Sequence, residues 1–316
     1  IDLFYEDRKN ILVSNAPLLT VPSALVSTGV NYGKVNNKGV EITVNWRDKI
    51  DGFTYNISPG LSFARNKITQ LAEDPQDYSY LYRVGHSVNQ PFGYEFFGFY
   101  QKEVTEAAYQ KKYGAPMPAQ LGQANLQNGD NIYADLNGDG KITNQDVHAI
   151  GFSDNPENTF SLNGNMTYKN FDLTMLWVGA TNVNRTLSWP YNPQFGQFHN
   201  QSLVKWVLDH SWTPETATTA TLPRLTELNE VNNTPTSSIW MVDGSYVRLR
   251  NFEIGYTIKK IPALGISSLR IYLNGSNLLT LSAFKGNDPE NVGGGYQNSI
   301  RYPVTKIYNV GFRVNF

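Results

Sequence analysis

Tyr308-Asn309-Val310-Gly311-Phe312-Arg313-Val314-Asn315-Phe316 ends the sequence. Side chains of an extended segment point alternately to opposite faces, so Tyr308, Val310, Phe312, Val314 and Phe316 share one face. Asn309, Gly311, Arg313 and Asn315 share the other. The same period of two recurs upstream, in Val40, Ile42, Val44 and Trp46, in Phe171, Leu173, Met175 and Trp177, and in Leu269, Ile271 and Leu273. It predicts about ten strands, near 2–13, 38–48, 53–67, 78–87, 92–101, 158–168, 170–180, 245–257, 268–281 and 303–316. One helix is expected, over 201–210, where residues 203, 204, 207 and 208 make a single apolar face.

The connections between these strands alternate in length. Long ones span roughly 14–37, 68–77, 102–157, 181–244 and 282–302, and short ones fall near 49–52, 88–91, 169 and 259–267. A soluble sandwich has no reason to gather its long loops at one end. A transmembrane β-barrel does, because its periplasmic turns are short and its extracellular loops long. The pattern predicts an all-β, antiparallel transmembrane barrel with long extracellular loops and a periplasmic C-terminus.

Composition agrees with strands and limits function. Aromatic residues make up 13% of the 316 residues and charged residues only 17%, a balance that favours strands over exposed helices. Twenty-six basic against 27 acidic residues give a net charge of −1, which argues against a nucleic-acid partner. With no cysteine there is neither a disulfide nor a thiolate ligand. No apolar run is long enough for a transmembrane helix. The sequence opens without a signal peptide, so the chain is expected to be mature or cut from something longer.

Asp135-Leu136-Asn137-Gly138-Asp139-Gly140-Lys141-Ile142-Thr143-Asn144-Gln145-Asp146 carries metal chemistry. A twelve-residue calcium loop draws hard oxygen ligands from positions 1, 3, 5, 7, 9 and 12. Here those positions are Asp135, Asn137, Asp139, the Lys141 carbonyl, Thr143 and Asp146, with Gly140 at the sharp turn. Position 12 is Asp, a shorter reach than the usual Glu. The expected ion is Ca²⁺, with Mg²⁺ the alternative, and its expected role is to rigidify a long loop. An Asn/Gly/Asp-rich turn without metal is the competing interpretation.

Several blocks resemble SusC/RagA-family TonB-dependent outer-membrane transporters of Bacteroidetes, in their C-terminal barrel portion. They are Asn36-Asn37-Lys38-Gly39-Val40-Glu41, Tyr133 to Ile142, Trp212-Thr213-Pro214-Glu215, Leu222-Pro223-Arg224-Leu225, Asp243 to Asn251, Asn274 to Thr280 and Gly311 to Phe316. The resemblance implies part of a 22-stranded barrel whose plug and TonB box lie outside this sequence. Gly311, Val314 and Phe316 then match the C-terminal signal read by the barrel assembly machinery. It also implies import of a glycan oligomer or oligopeptide across the outer membrane. A SusD-like lipoprotein lid, a dimeric SusCD-type complex and energy from TonB would serve that import.

Such a function breaks no bond, and the sequence holds no G-x-S-x-G, no H-E-x-x-H and no phosphate-cradling glycine loop. Trp189, Tyr191, Phe195, Phe198 and Trp212, in the 181–244 connection, are candidate substrate contacts because flat rings suit sugar faces. Packing of the loop onto itself or onto the lid protein is the alternative for all five. Arg248 and Arg250 share a face and could line a polar lumen or pair with a plug carboxylate. A different class, a secreted β-sandwich carbohydrate-binding module with a dockerin-like calcium loop, accommodates the same aromatics and the same acidic loop.

Overall fold

The computed structural model describes residues 1–14, 29–187, 203–226, 231–284, 288–290 and 304–316. In chain order the strands are β1 (Asp2–Ser14), β2 (Gly29–Thr43), β3 (Trp46–Ile50), β4 (Phe53–Gln70), β5 (Phe92–Tyr94), β6 (Phe96–Phe99), β7 (Asn131–Tyr133), β8 (Val147–Ala149), β9 (Asn158–Tyr168), β10 (Phe171–Thr181), β11 (Asn184–Thr186), β12 (Met241–Asp243), β13 (Tyr246–Ile261), β14 (Ile266–Ser282) and β15 (Ile307–Asn315). Among the described residues there are two α-helices, α1 (Lys102–Tyr113) and α2 (Lys205–His210).

Nine strands form one antiparallel sheet in the order β1-β2-β4-β9-β10-β13-β14-β15, with β3 also paired to β4. Because β3 continues β2 after a two-residue break, the nine strands fill eight rows. Pro59 of β4 lies opposite that break, between the pairs Thr43↔Gly60 and Trp46↔Ile57. Its carbonyl accepts from the Val44 amide at 3.0 Å, so its nitrogen points the same way, into a gap where no N–H is needed. Each row meets the next through a hairpin or a long connection. Asp51-Gly52 makes a two-residue hairpin, both residues having positive φ (46° and 82°), as a type I′ turn requires. The other short turns lie at 169–170 and 262–265, and the long connections at 15–28, 71–157, 182–245 and 283–306. Long and short still alternate along the wall.

The register lines up one kind of residue across the whole sheet. Phe53, Tyr168, Phe171, Tyr256, Ile271 and Phe312 are successive cross-strand partners. Tyr55, Met166, Leu173, Ile254, Leu273 and Val310 form the next apolar row on the same face. On the opposite face Asn56, Asn165, Thr174, Glu253, Asn274 and Asn309 form a polar row. The polar groups bond to one another: Thr174 donates to Asn165 (3.1 Å), Asn274 to Glu253 (3.2 Å) and Asn309 to Asn274 (2.9 Å). Arg270 extends this network to Asp172 (3.0 Å) and Glu253 (2.7 Å).

The apolar face is the uncovered one. Val310 and Phe312 are each 76% exposed, and Ile271, Leu273 and Phe171 are exposed with them. Water does not tolerate a continuous apolar patch of this extent, whereas lipid does. Along β4 the outward apolar run goes from Phe53 to Phe63. At about 3.3 Å per residue and a tilt of about 45°, such a run rises about 25 Å, the height of the apolar band of an outer-membrane barrel. No helix among the described residues is long and apolar enough to cross a membrane.

Three expectations change. Residues 78–87 and 92–101 are not wall strands. The first holds a single 3-10 turn (Ser79–Leu81), with Tyr78 and Tyr80 stacked at 5.3 Å. The second divides into β5 and β6, which pair with β8 and β7 inside the long connection. Their aromatics alternate because they pack a small loop core, and alternation by itself does not distinguish that core from lipid. The helix expected over 201–210 is the shorter α2; residues 201 and 202 lie outside the described residues. The unexpected α1 buries only Thr105 and Tyr109, too narrow a stripe to show in the sequence pattern. The sandwich alternative also fails: every other sheet among the described residues has only two strands, and none is large enough to cover the wall.

Candidate functional site

The two longest connections, 71–157 and 182–245, fold together into one loop assembly on the wall. A segment of the second threads into the first. The Tyr94 amide donates to the Thr236 carbonyl (3.0 Å) and the Phe96 amide to the Ser238 hydroxyl (2.8 Å). Asn233 accepts from the Asn131 amide (2.7 Å), Asn232 accepts from the Gly122 amide (3.0 Å), and the Tyr133 hydroxyl donates to the Asn232 carbonyl. At the centre lies Asp130, 1% exposed. It accepts from the Arg224 guanidinium (2.7 Å), the Asn233 amide side chain (2.8 Å) and the Gln127 backbone (2.8 Å). Burial pushes the Tyr133 phenol well above its ordinary range. Sequence inspection missed this seam. Its only visible sign is the Leu222-Pro223-Arg224-Leu225 block.

The acidic loop sits at the edge of this assembly. Ile142 is buried with Tyr94 and Tyr133, whose rings lie 5.1 Å apart, and anchors one end of the loop. Gly138 and Gly140 have positive φ (77° and 83°), so the backbone can wrap around the carboxylates. Asp135 accepts from the Gly138 amide (2.6 Å) and the Gly140 amide (2.8 Å). Asn137 accepts from the Asp139 amide (3.0 Å), and Asp139 from the Lys141 amide (3.0 Å). Asp146 is fully buried and accepts from the Leu136 (2.8 Å) and Thr143 (2.7 Å) amides; Thr143 caps the turn that follows. Burial, together with Asp146, Tyr78, Asp135 and Asp139, pushes the Tyr80 phenol up.

The donors are hard oxygens of the kind Ca²⁺ selects, arranged around one short loop. Their carboxylates are turned onto the loop's own amides. Among the described residues no three His, Cys, Asp or Glu side chains gather as a metal cluster. The loop is closed by its own hydrogen bonds, and each Asp135 oxygen accepts one of them, leaving a second lone pair.

The aromatic candidates separate. Trp189, Tyr191, Phe195 and Phe198 lie outside the described residues. Trp212 is only 9% exposed and packs on Gly129, where an added Cβ would come within 2.5 Å of the indole. Its ring is wedged into the loop assembly, the packing alternative for these rings, and its remaining surface borders a shallow pocket with Gln101, Pro214 and Ala217.

Arg248 and Arg250 pair with the chain's own loop acids. Arg248, 1% exposed, reaches Asp288 (2.7 Å) and Glu290 (3.1 Å), and Arg250 pairs with Glu290. Arg185 donates to the Pro289 carbonyl at 2.8 Å, so three arginines hold the segment 288–290. At the other end of the sheet Gly311 lies under the Tyr272 ring, Val314 is half-buried and Phe316 is 89% exposed.

No family model matches the sequence. The chain is 28% identical over 321 residues to TonB-dependent receptor P3 of Formosa agariphila, covering 90% of this chain and 29% of that protein. It is 27% identical over 343 residues to TonB-dependent receptor P26 of the same organism, covering 100% of this chain and 32% of the relative. Among solved structures, the RagAB peptide transporter superposes with a TM-score of 0.70 at 19% identity, over 99% of this chain and 32% of its own. The RagAB peptide importer in its closed-closed state gives a TM-score of 0.66 at 20% identity, over 99% of this chain and 33% of its own. The chain thus spans about a third of the length of the relatives it matches, and its fold is that of one portion of such a barrel with its loops.

Proposed function

We propose that this chain is barrel wall and loop assembly of a TonB-dependent importer in the bacterial outer membrane, taking up a large nutrient. The observation that carries the proposal is the wall itself. It has eight antiparallel rows with an outward apolar band, alternating long and short connections and two open edges, matched over its length by proteins named TonB-dependent receptors. Lipid does not tolerate open edges, so this wall works as part of a larger closed barrel. Its long connections face outward from the cell and its short turns face the periplasm.

The polar inner face, with Glu253, Asn274 and Arg270 bonded in one network, offers hydrogen-bonding groups to a plug or a passing solute. The cargo is an oligopeptide or a glycan oligomer. Similarity to the RagAB peptide transporter supports the former, and the ring-rich 189–198 stretch suits either. A SusD-like lipoprotein would lid the barrel over the loop assembly, in a SusCD-type dimer, with TonB supplying energy. None of these steps requires a catalytic residue. The acidic loop takes Ca²⁺ through Asp135, Asn137, Asp139, the Lys141 carbonyl, Thr143 and Asp146, as a brace for the loop assembly.

The test is uptake by a strain lacking the native protein, supplied with fluorescent oligopeptides or glycan oligomers. Loss of uptake of one class, restored by the native gene and not by one lacking its TonB box, supports the proposal. Unchanged uptake of both classes refutes it.

A further inference from the structure

The outward face of the wall changes character at one level. On β4 the outward residues from the Asp51-Gly52 turn run Phe53, Tyr55, Ile57, Pro59, Leu61 and Phe63, then switch to Arg65 and Lys67. On β2 the outward Ile42 and Val40 give way to Lys38. The register sets Val40 opposite Phe63 and Lys38 opposite Arg65, with Lys67 one pair further on, opposite Asn36. Beyond Phe63 in the same row come Asn158 and Thr181, hydrogen-bonded at 3.1 Å, so the apolar band ends there on β9 and β10 as well.

Like charges facing each other across a strand pair are unfavourable unless an anion lies between them. Arg65 has such a partner in Glu157, at 2.6 Å from its Nε, and Lys9 on β1 has Asp7 at 3.0 Å. Among the described residues Lys38 and Lys67 have no carboxylate partner, and both are exposed.

We propose that Lys38 and Lys67, flanked by Arg65, dock the phosphate groups of outer-leaflet lipid, whose acyl chains lie along Val40, Phe63 and Leu61 below them. The proposal rests on the outer-membrane assignment. It commits to lipid over a soluble anion because the cations adjoin an apolar surface that only an acyl chain would cover.

The test uses the native protein extracted from outer membranes into a zwitterionic detergent, with bisphosphorylated lipid A as the probe. Bound lipid is counted by native mass spectrometry. The wild type should retain lipid A, and the double variant Lys38→Gln/Lys67→Gln should bind it about tenfold more weakly, since each basic group near an anionic lipid surface contributes severalfold. Lys169→Gln, at the short-turn end, should bind like wild type. Equal binding by the double variant, or displacement by inorganic phosphate, would overturn the proposal. Heat-modifiable gel mobility, measured alongside, separates the two levels. A wild type lacking it refutes the membrane barrel and this site together. A heat-modifiable wild type whose lipid binding ignores the lysines refutes only the site.

Discussion

Asp130 carries one of the few buried charges in the loop assembly, and Arg224 shields it from one side. Removing one member of such a pair leaves the other desolvated and unpaired. Asp130→Ala should therefore cost about 3 kcal/mol in loop-assembly stability, seen as faster proteolysis within 71–157 while the wall stays intact. Wild-type proteolysis of the variant would remove Asp130 from that role. Glu157 adds a pH dependence. Burial pushes its carboxyl up, but hydrogen bonds from Arg65 and Asn182 outweigh burial and hold it below the ordinary value. A depressed carboxyl stabilises the fold above its unfolded pKa, and that contribution fades as pH falls through the lower folded value. Glu157→Gln should flatten part of the loss of thermal stability between about pH 5 and pH 3; an unchanged slope would show that the cluster is inert. At Asp135–Asp146 the hydrogen-bonded loop was legible in the sequence, because its carboxylates bond amides no more than ten positions away. Adding Ca²⁺ should raise the melting temperature of the loop assembly by several degrees and EDTA should reverse it, with Asp139→Asn blunting both. No shift with millimolar Ca²⁺ would leave the loop closed by its amides alone. The Asp130 seam was not legible, since its partners are about a hundred residues apart and no periodicity connects them.

Gly311 and Tyr272 show how a strand is fixed at the wall's edge. The two residues are cross-strand partners, and a Cβ at 311 would approach the Tyr272 ring within 2.4 Å. Only glycine lets that ring lie flat over β15. Gly311→Val should lower the yield of folded barrel severalfold, and Tyr272→Ala should restore much of it in the double variant. A double variant as poor as the single one would show that Gly311 acts through a different contact, such as the assembly signal. Wall strands were readable because a face in lipid and a face in a polar lumen impose strict alternation over nine or more residues. β5 and β6 gave the same local pattern for another reason, Tyr94 packing on Tyr133 and Phe96 on Phe99. Length would have separated them, since neither exceeds four residues. The α1 helix escaped because its contact with the assembly amounts to Thr105, Tyr109 and Tyr113, whose ring lies tilted against Tyr109, while its other faces meet water.

At the scale of the whole molecule the governing fact is that β1 and β15 are edges. Among the described residues each has a neighbour on one side only, and the outer backbone groups along Asp2–Ser14 and Ile307–Asn315 find no strand partner there. In water an edge strand can be solvated, but in hydrocarbon every unmade backbone bond costs several kcal/mol. Eight rows are about a third of a 22-stranded barrel, and the chain covers 29–33% of its relatives' lengths. The two proportions agree, and both place the missing partners of β1 and β15 in the remaining two thirds. Closure therefore requires those strands, and the wall alone should not form a stable barrel. Refolded by itself in detergent, residues 1–316 should give a species without heat-modifiable mobility, susceptible to proteolysis along β1. The native protein should migrate as a compact band that shifts on boiling. An isolated chain that closed into a protease-resistant, heat-modifiable species would mean that β1 and β15 pair with each other, and the larger barrel would have to be abandoned.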